Sequence, residues 1–139
     1  MLLVTGPESS GTSLVTRMLR AAGGVVAHRS ATYPDDWADL PALAADCEAV
    51  IMVYRDPFAT MASQIAGGLS PNEAWRKLQD GYRQLAAIAH RRVYCLTYEQ
   101  LVLEPESIRP LLTDLGLDAA VVLEPVTNEN VKHRRLAAG

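Results

Sequence analysis

Apolar residues follow two rhythms along this chain. Unbroken apolar stretches at Leu2–Val4, Val25–Ala27 and Ala49–Tyr54, and a further strand-like segment at Val93–Thr97, have the length of short strands. Continuous apolar runs of this kind suit strands covered on both faces. Between them the spacing becomes helical. Leu14, Val15, Met18, Leu19 and Ala22 form one stripe, ended by Gly23-Gly24. Leu40–Cys47 predicts a short helix. Asp56 as a cap and Pro57 at the first helical position start another, which runs to about Gly67-Gly68. Ser70-Pro-Asn-Glu73 is a capping box. The helix it opens carries Trp75, Leu78, Tyr82, Leu85 and Ala89 on one face, read as core packing. Ile108, Leu111, Leu112 and Leu115 predict a last helix, closed by Gly116 at C′, with Pro110 in its first turn if Ser107 is the N-cap. The stretch from His28 to Asp39 has no clean period and reads as a surface loop. No internal repeat is visible.

Strands alternating with helices predict an α/β domain: a three-layer parallel sheet flanked by helices, with Val4, Val53 and Val93–Leu96 in its middle. Ligands of such sheets bind beyond the carboxyl ends of the strands. Three features fall there together: the loop at 6–13, Arg55, and the segment opened by His28.

The loop is the most informative of them. After the first strand come Gly6, Pro7 and Glu8, then Ser9, Ser10, Gly11, Thr12 and Ser13, five consecutive small residues of which four carry a hydroxyl. Strand, small-residue loop and helix is an arrangement that holds phosphate or sulfate, because loop N–H groups converge on the anion and the helix start adds about half a positive charge. The spacing is close to the nucleotide-binding P-loop, G-x-x-x-x-G-K-[ST], but Thr12 stands where the lysine belongs. The bland alternative is a glycine-containing turn that starts a helix. Hydroxyl density and position favour the anion.

Length and composition narrow the classes. A chain of 139 residues is read as one domain, 1–139, with 49% apolar and 21% charged residues. A net charge of −3 argues against a general nucleic-acid binder, although basic residues cluster at Arg91-Arg92 and Lys132-His133-Arg134-Arg135. Local positive charge in an acidic chain suits a small anionic ligand. Cys47 and Cys95 have no zinc-ligand spacing, so no metal is expected. No signal peptide or membrane-spanning run is visible, and a cytoplasmic protein is expected.

With these residues assembled, the chain resembles the sulfotransferases that use 3′-phosphoadenosine-5′-phosphosulfate (PAPS). TGPESSGTSL is similar to their 5′-phosphosulfate loop, P-[KR]-S-G-T-[ST]. VYRDPFATMASQ resembles their 3′-phosphate motif, with Arg55 ending a strand and Ser63 eight residues later. YCLTYEQLVLEPESIRPLLTDLGL is similar to a later family stretch, and NENVKHRR to the basic tail that closes over the cofactor. The resemblance implies a P-loop NTPase-like fold and transfer of a sulfuryl group from PAPS to a hydroxyl or amine of a small molecule or glycan. Adenosine 3′,5′-bisphosphate would be the product.

Residue by residue, it implies that Ser9, Ser10, Gly11, Thr12 and Ser13 hold the 5′-phosphosulfate and Arg55 and Ser63 the 3′-phosphate. Lys132 and Arg134 would cover the cofactor. A planar guanidinium and a nearby hydroxyl suit phosphate oxygens on chemical grounds as well; their plainer alternative is pairing of Arg55 with Asp56 or Glu48. The family's basic loop residue aligns with Ser9, leaving Arg17, Arg29, Lys132 or Arg134 to supply the charge. The general base implied by the family is a histidine, for which His28 is chosen over His90 and His133; Glu8, Asp35 and Asp36 are the other candidates, and a partly buried structural role is the plainer reading of His28. A chain shorter than most of the family needs an acceptor pocket that is small, open or completed by a second copy. Two other readings stand beside this one: a small P-loop kinase using Asp56 for magnesium, and a non-catalytic nucleotide-binding module.

Overall fold

The computed structural model describes residues 1–31 and 39–121. Strands β1 (Leu2–Gly6), β2 (Val26–Ser30), β3 (Ala49–Tyr54) and β4 (Val93–Thr97) form one all-parallel sheet in the order β2-β1-β3-β4. The helices are α1 (Thr12–Ala21), α2 (Leu40–Asp46), α3 (Pro57–Ala66), α4 (Pro71–Ala86), α5 (Tyr98–Leu103) and α6 (Arg109–Asp114), with a 3-10 turn at Pro105–Ile108. Among the described residues, no helix is long and apolar enough to cross a membrane.

Side-chain alternation along the two inner strands builds two cores. Leu2, Val4, Ile51 and Val53 face α1, α5 and α6, meeting Leu14, Val15, Met18, Leu101 and Leu112. Leu3, Val50 and Met52 face the other way, against Leu40 and Ala44 of α2 and Leu85 of α4. Each fully buried aliphatic side chain contributes about 1.5–3 kcal/mol of transfer free energy, so helices on both faces are what these runs require.

The start signals read from the sequence operate as expected. Asp56 accepts hydrogen bonds from the N–H groups of Phe58 and Ala59, at 2.8 and 3.2 Å, and Ser70 accepts from Glu73 N–H at 3.2 Å. At the last helix, Gly116 N–H donates to Thr113 O and Leu117 N–H to Leu112 O, a Schellman closure.

Four expectations need correction. The second strand begins at Val26 and continues through His28 to Ser30, because pairing with β1 carries it past the apolar run. Strand β4 is an edge, paired only with β3, and its burial alternates as one-sided cover demands. In α4, Ala74, Leu78, Gly81 and Leu85 are buried, while Trp75 is 51% exposed and Ala89 lies beyond the helix end. The final helix is split: Ser107 belongs to the 3-10 turn, and Pro110 sits in the first turn of α6 without a side-chain cap.

The chain leaves β1 for β2 on one side and then crosses to β3 on the other. The carboxyl ends of β1 and β3 therefore flank a topological switch point, where open parallel sheets bind ligands.

Candidate functional site

The loop at 6–11 leaves β1 at that switch point. Ser10 N–H donates to Pro7 O at 3.1 Å and is thereby spent within the loop, not offered to an anion. This turn holds Ser9 at φ +64°, the left-handed region, at a cost of about 1–2 kcal/mol for a residue with a Cβ. Gly11 at φ +102° is the N-cap of α1. It has no side chain, so the N-cap residue itself caps none of the N–H groups of the first turn, in contrast to Asp56 at α3 and Ser70 at α4. A Cβ at Gly11 would also come within 2.6 Å of Tyr98 Cδ2. Glycine there serves the backbone conformation and the packing of Tyr98 together.

Arg55 follows β3 and reaches this loop. Its Nη1 donates to Ser9 O at 3.1 Å, and its Cζ lies 4.7 Å from the centre of the Tyr98 ring. Among the described residues, Arg55 forms no ion pair with Asp56, Glu48 or any other carboxylate. The guanidinium therefore brings to Ser9 the positive charge that the serine side chain lacks, and it keeps donors beyond the one used. Glu99 steadies the same corner by accepting from Asp56 N–H at 2.7 Å.

Ser63 and Gln64, on α3, line a pocket of about 140 Å³ together with Glu8, Ser9, Gly67, Leu69 and Lys77. Arg55 is not in its wall; Ser9 is shared, lining the pocket with Ser63 and accepting from Arg55 through its carbonyl. Three buried polar atoms around the loop have no hydrogen-bond partner: Ser10 Oγ, Ser63 Oγ and Gln64 Oε1. Buried polar atoms are nearly always paired, with protein, water or ligand, so these three, like Thr5 Oγ1 and Thr16 Oγ1 nearby, are open to water or to a bound group. Ser63→Ala is expected to leave unfolding free energy unchanged or raise it by about 1 kcal/mol, because an unsatisfied hydroxyl is removed. The same variant should bind a phosphate ligand several-fold more weakly; chemical denaturation and calorimetry measure the two effects.

His28 lies on β2, beside β1, with Nε2 2.8 Å from Thr12 Oγ1. Two predicted site residues are thus joined, and the imidazole is partly buried next to the start of α1. Arg29 donates to His28 O and pairs with Asp39 at 3.4 Å, so its charge is engaged away from the loop. Asp56 is occupied as the cap of α3. His90 donates through Nε2 to the carbonyl of Cys47, the C-cap residue of α2, and accepts from Arg92 N–H through Nδ1. Ser13 is exposed on the first turn of α1. Asp35, Asp36, Lys132, His133 and Arg134 lie outside the described residues.

Burial pushes the Tyr54 and Tyr82 phenols and the Cys47 thiol above their ordinary values, so all three are neutral near pH 7 and Cys47 is no thiolate nucleophile. Among the described residues, no group of three or more His, Cys, Asp or Glu side chains is placed to hold a metal ion. A larger, shallow hollow of about 450 Å³ runs along β4, but Tyr94 and Asp114 in its wall bond each other.

Sequence reasoning missed Gln64, Tyr98 and Glu99. Tyr98 and Glu99 stand inside the family-like stretch YEQL, which was a usable signal. Gln64 ends the family-like stretch VYRDPFATMASQ, but its burial follows only from packing of α3.

The fold is that of an α/β protein with an all-parallel four-stranded sheet, and its β1–α1 loop lies at the switch point of that sheet. In comparisons with known proteins, no family profile, curated protein or solved structure matches the chain significantly.

Proposed function

We propose that this protein is a sulfotransferase with a P-loop NTPase-like fold, taking PAPS as donor and a hydroxyl or amine of a small molecule or glycan as acceptor. The observation that carries the reading is Arg55, held on Ser9 O at 3.1 Å with no carboxylate partner among the described residues, beside the start of α1, whose N-cap Gly11 has no side chain to cap it. The orphaned Ser10 and Ser63 hydroxyls support the fit to a doubly anionic nucleotide.

In this reading PAPS, when bound, supplies the sulfuryl group that passes to the acceptor. The N–H groups of the first turn of α1, with Thr12 and Ser13, hold the 5′ anion; Ser63 holds the 3′-phosphate from its pocket, and Arg55 joins it there by turning from Ser9 O. Fixed donors aimed at developing negative charge are the main way such sites accelerate group transfer. His28 takes the acceptor proton at Nε2, which requires release of Thr12 Oγ1. Lys132 and Arg134 would close over the nucleotide, and the acceptor pocket would be small, open or completed by a second copy of the chain.

The kinase reading is less favoured because Asp56, its magnesium ligand, caps α3. The binding-module reading is favoured by one observation, the engagement of His28 Nε2 with Thr12.

The test is calorimetry without magnesium. Adenosine 3′,5′-bisphosphate should bind about tenfold to a hundredfold more tightly than adenosine 5′-monophosphate, as one or two charge-assisted hydrogen bonds imply. In Arg55→Ala most of that preference should vanish while affinity for the monophosphate changes little. Equal binding of both nucleotides by the unaltered protein sinks the sulfotransferase reading. Magnesium-dependent ATP binding would install the kinase, and a 3′-phosphate preference without turnover of any acceptor would install the module.

A further inference from the structure

The pocket beside the loop asks for more than an anion. Gln64 is only 5% exposed, and its Nε2 donates to Glu8 O at 3.2 Å. That bond fixes the orientation of the amide, since the nitrogen must face the carbonyl. The amide oxygen is left buried and without a partner. An amide oxygen only accepts, so a phosphate dianion cannot satisfy it and is repelled by it. Ser63, the preceding residue in the same wall, is 6% exposed with an equally unpartnered hydroxyl that can donate to an anion. Both residues line the one pocket, yet they ask for different groups: an acceptor for Ser63 and a donor for Gln64.

We propose that Gln64 Oε1 accepts a hydrogen bond from the hydroxyl adjacent to the phosphate that Ser63 binds, so that the pocket selects a 3′-phosphorylated ribonucleotide over its 2′-deoxy counterpart. This rests on the nucleotide reading above and names what that site discriminates. On a ribose the 2′-hydroxyl and the 3′-phosphate oxygen sit on adjacent carbons on the same face of the ring. The free hydroxyl has a proton to give to Gln64, and the phosphate has lone pairs for Ser63. Removing the 2′-hydroxyl returns Gln64 Oε1 to its unsatisfied state inside the complex, where water has less access than in the free protein. Glu8 and Lys77 bring opposite charges to the same wall, so hydrogen-bond pattern, and not net charge alone, decides what the pocket prefers.

Calorimetry on the full chain with adenosine 3′,5′-bisphosphate, its 2′-deoxy analogue and adenosine 5′-monophosphate tests this. The 2′-deoxy bisphosphate should bind about tenfold to a hundredfold more weakly than the ribo form, the cost of leaving one buried acceptor unpaired. In Gln64→Met, which keeps length and removes the acceptor, the two bisphosphates should bind alike. The first comparison uses the unaltered protein and does not depend on how the variant folds. Equal affinity for ribo and deoxy bisphosphates, both tighter than the monophosphate, overturns the role of Gln64, assigns its oxygen to water, and leaves the nucleotide reading intact. A ribo preference that survives in Gln64→Met also overturns it. Failure of the ribo bisphosphate to outbind the monophosphate overturns this inference and the nucleotide reading together.

Discussion

Gly6→Ala is expected to destabilise the protein by about 3 kcal/mol or more, with Tm falling by roughly 10 °C or more. A Cβ at this position would overlap the carbonyl oxygen of Val53 and lie 2.8 Å from Ser10 Oγ and 3.1 Å from Thr12 Cγ2. Val53 is in β3, paired with β4 on its far side, so its carbonyl cannot withdraw without disturbing the sheet. The two inner strands would have to separate just where the loop departs. Gly68→Ala is the control. Nothing lies within 4 Å of a Cβ there, and only its φ of +114° is strained, which costs about 1–2 kcal/mol. Thermal melts of both variants check the difference, and comparable Tm values would show that close approach of the loop to β3 is not what Gly6 provides. Binding assays on Gly6→Ala are uninformative for the same reason. Gly11→Val is no cleaner, because its side chain meets Tyr98 as well as any ligand.

His28→Ala is expected to lower sulfuryl transfer by about 10²–10⁴-fold, the range for loss of a general base. The 2.8 Å contact with Thr12 shapes how that result must be read. Removing the imidazole also frees the Thr12 hydroxyl, so some loss of nucleotide affinity accompanies the loss of turnover. Thr12→Val separates the two. It keeps the shape of the side chain and the imidazole, so it should weaken nucleotide binding more than it lowers kcat, whereas His28→Ala should do the reverse. Steady-state kinetics with calorimetry on both variants measures the split. Turnover near that of the unaltered protein in His28→Ala would make the contact with Thr12 structural and pass the role of base to Glu8, Asp35 or Asp36.

Both expectations begin from residues visible in the sequence, yet the reason attached to each residue changed. Gly6 read as the first glycine of an anion loop; its strongest constraint is the backbone of the neighbouring strand. His28 read as the opening of a loop; it lies in a strand and faces the first turn of α1. Trp75 read as core and is half exposed, because the buried stripe of α4 runs through Ala74 and Gly81, where small residues let the helix approach the sheet. Strand β4 read as central and forms an edge. Strand order is not encoded in any one segment, since each run shows only that it is apolar.

What the sequence alone determined is therefore local. Apolar runs and helical stripes identified the strands and helices, Asp56, Ser70 and Gly116 marked ends whose hydrogen bonds form within a few residues, and Gly6 to Ser13 and Arg55 pointed to the carboxyl ends of the strands. Such features follow from steric and hydrogen-bonding rules that act over one or two turns of chain. The tertiary structure alone decided the order β2-β1-β3-β4, the placing of Arg55 on Ser9 and Tyr98, the contact of His28 with Thr12, and the burial of Ser63 and Gln64 without partners. Those joins link residues 16 to 46 positions apart. Their chemistry depends on which groups packing brings into contact and which it leaves unpaired, and no spacing along the chain encodes that.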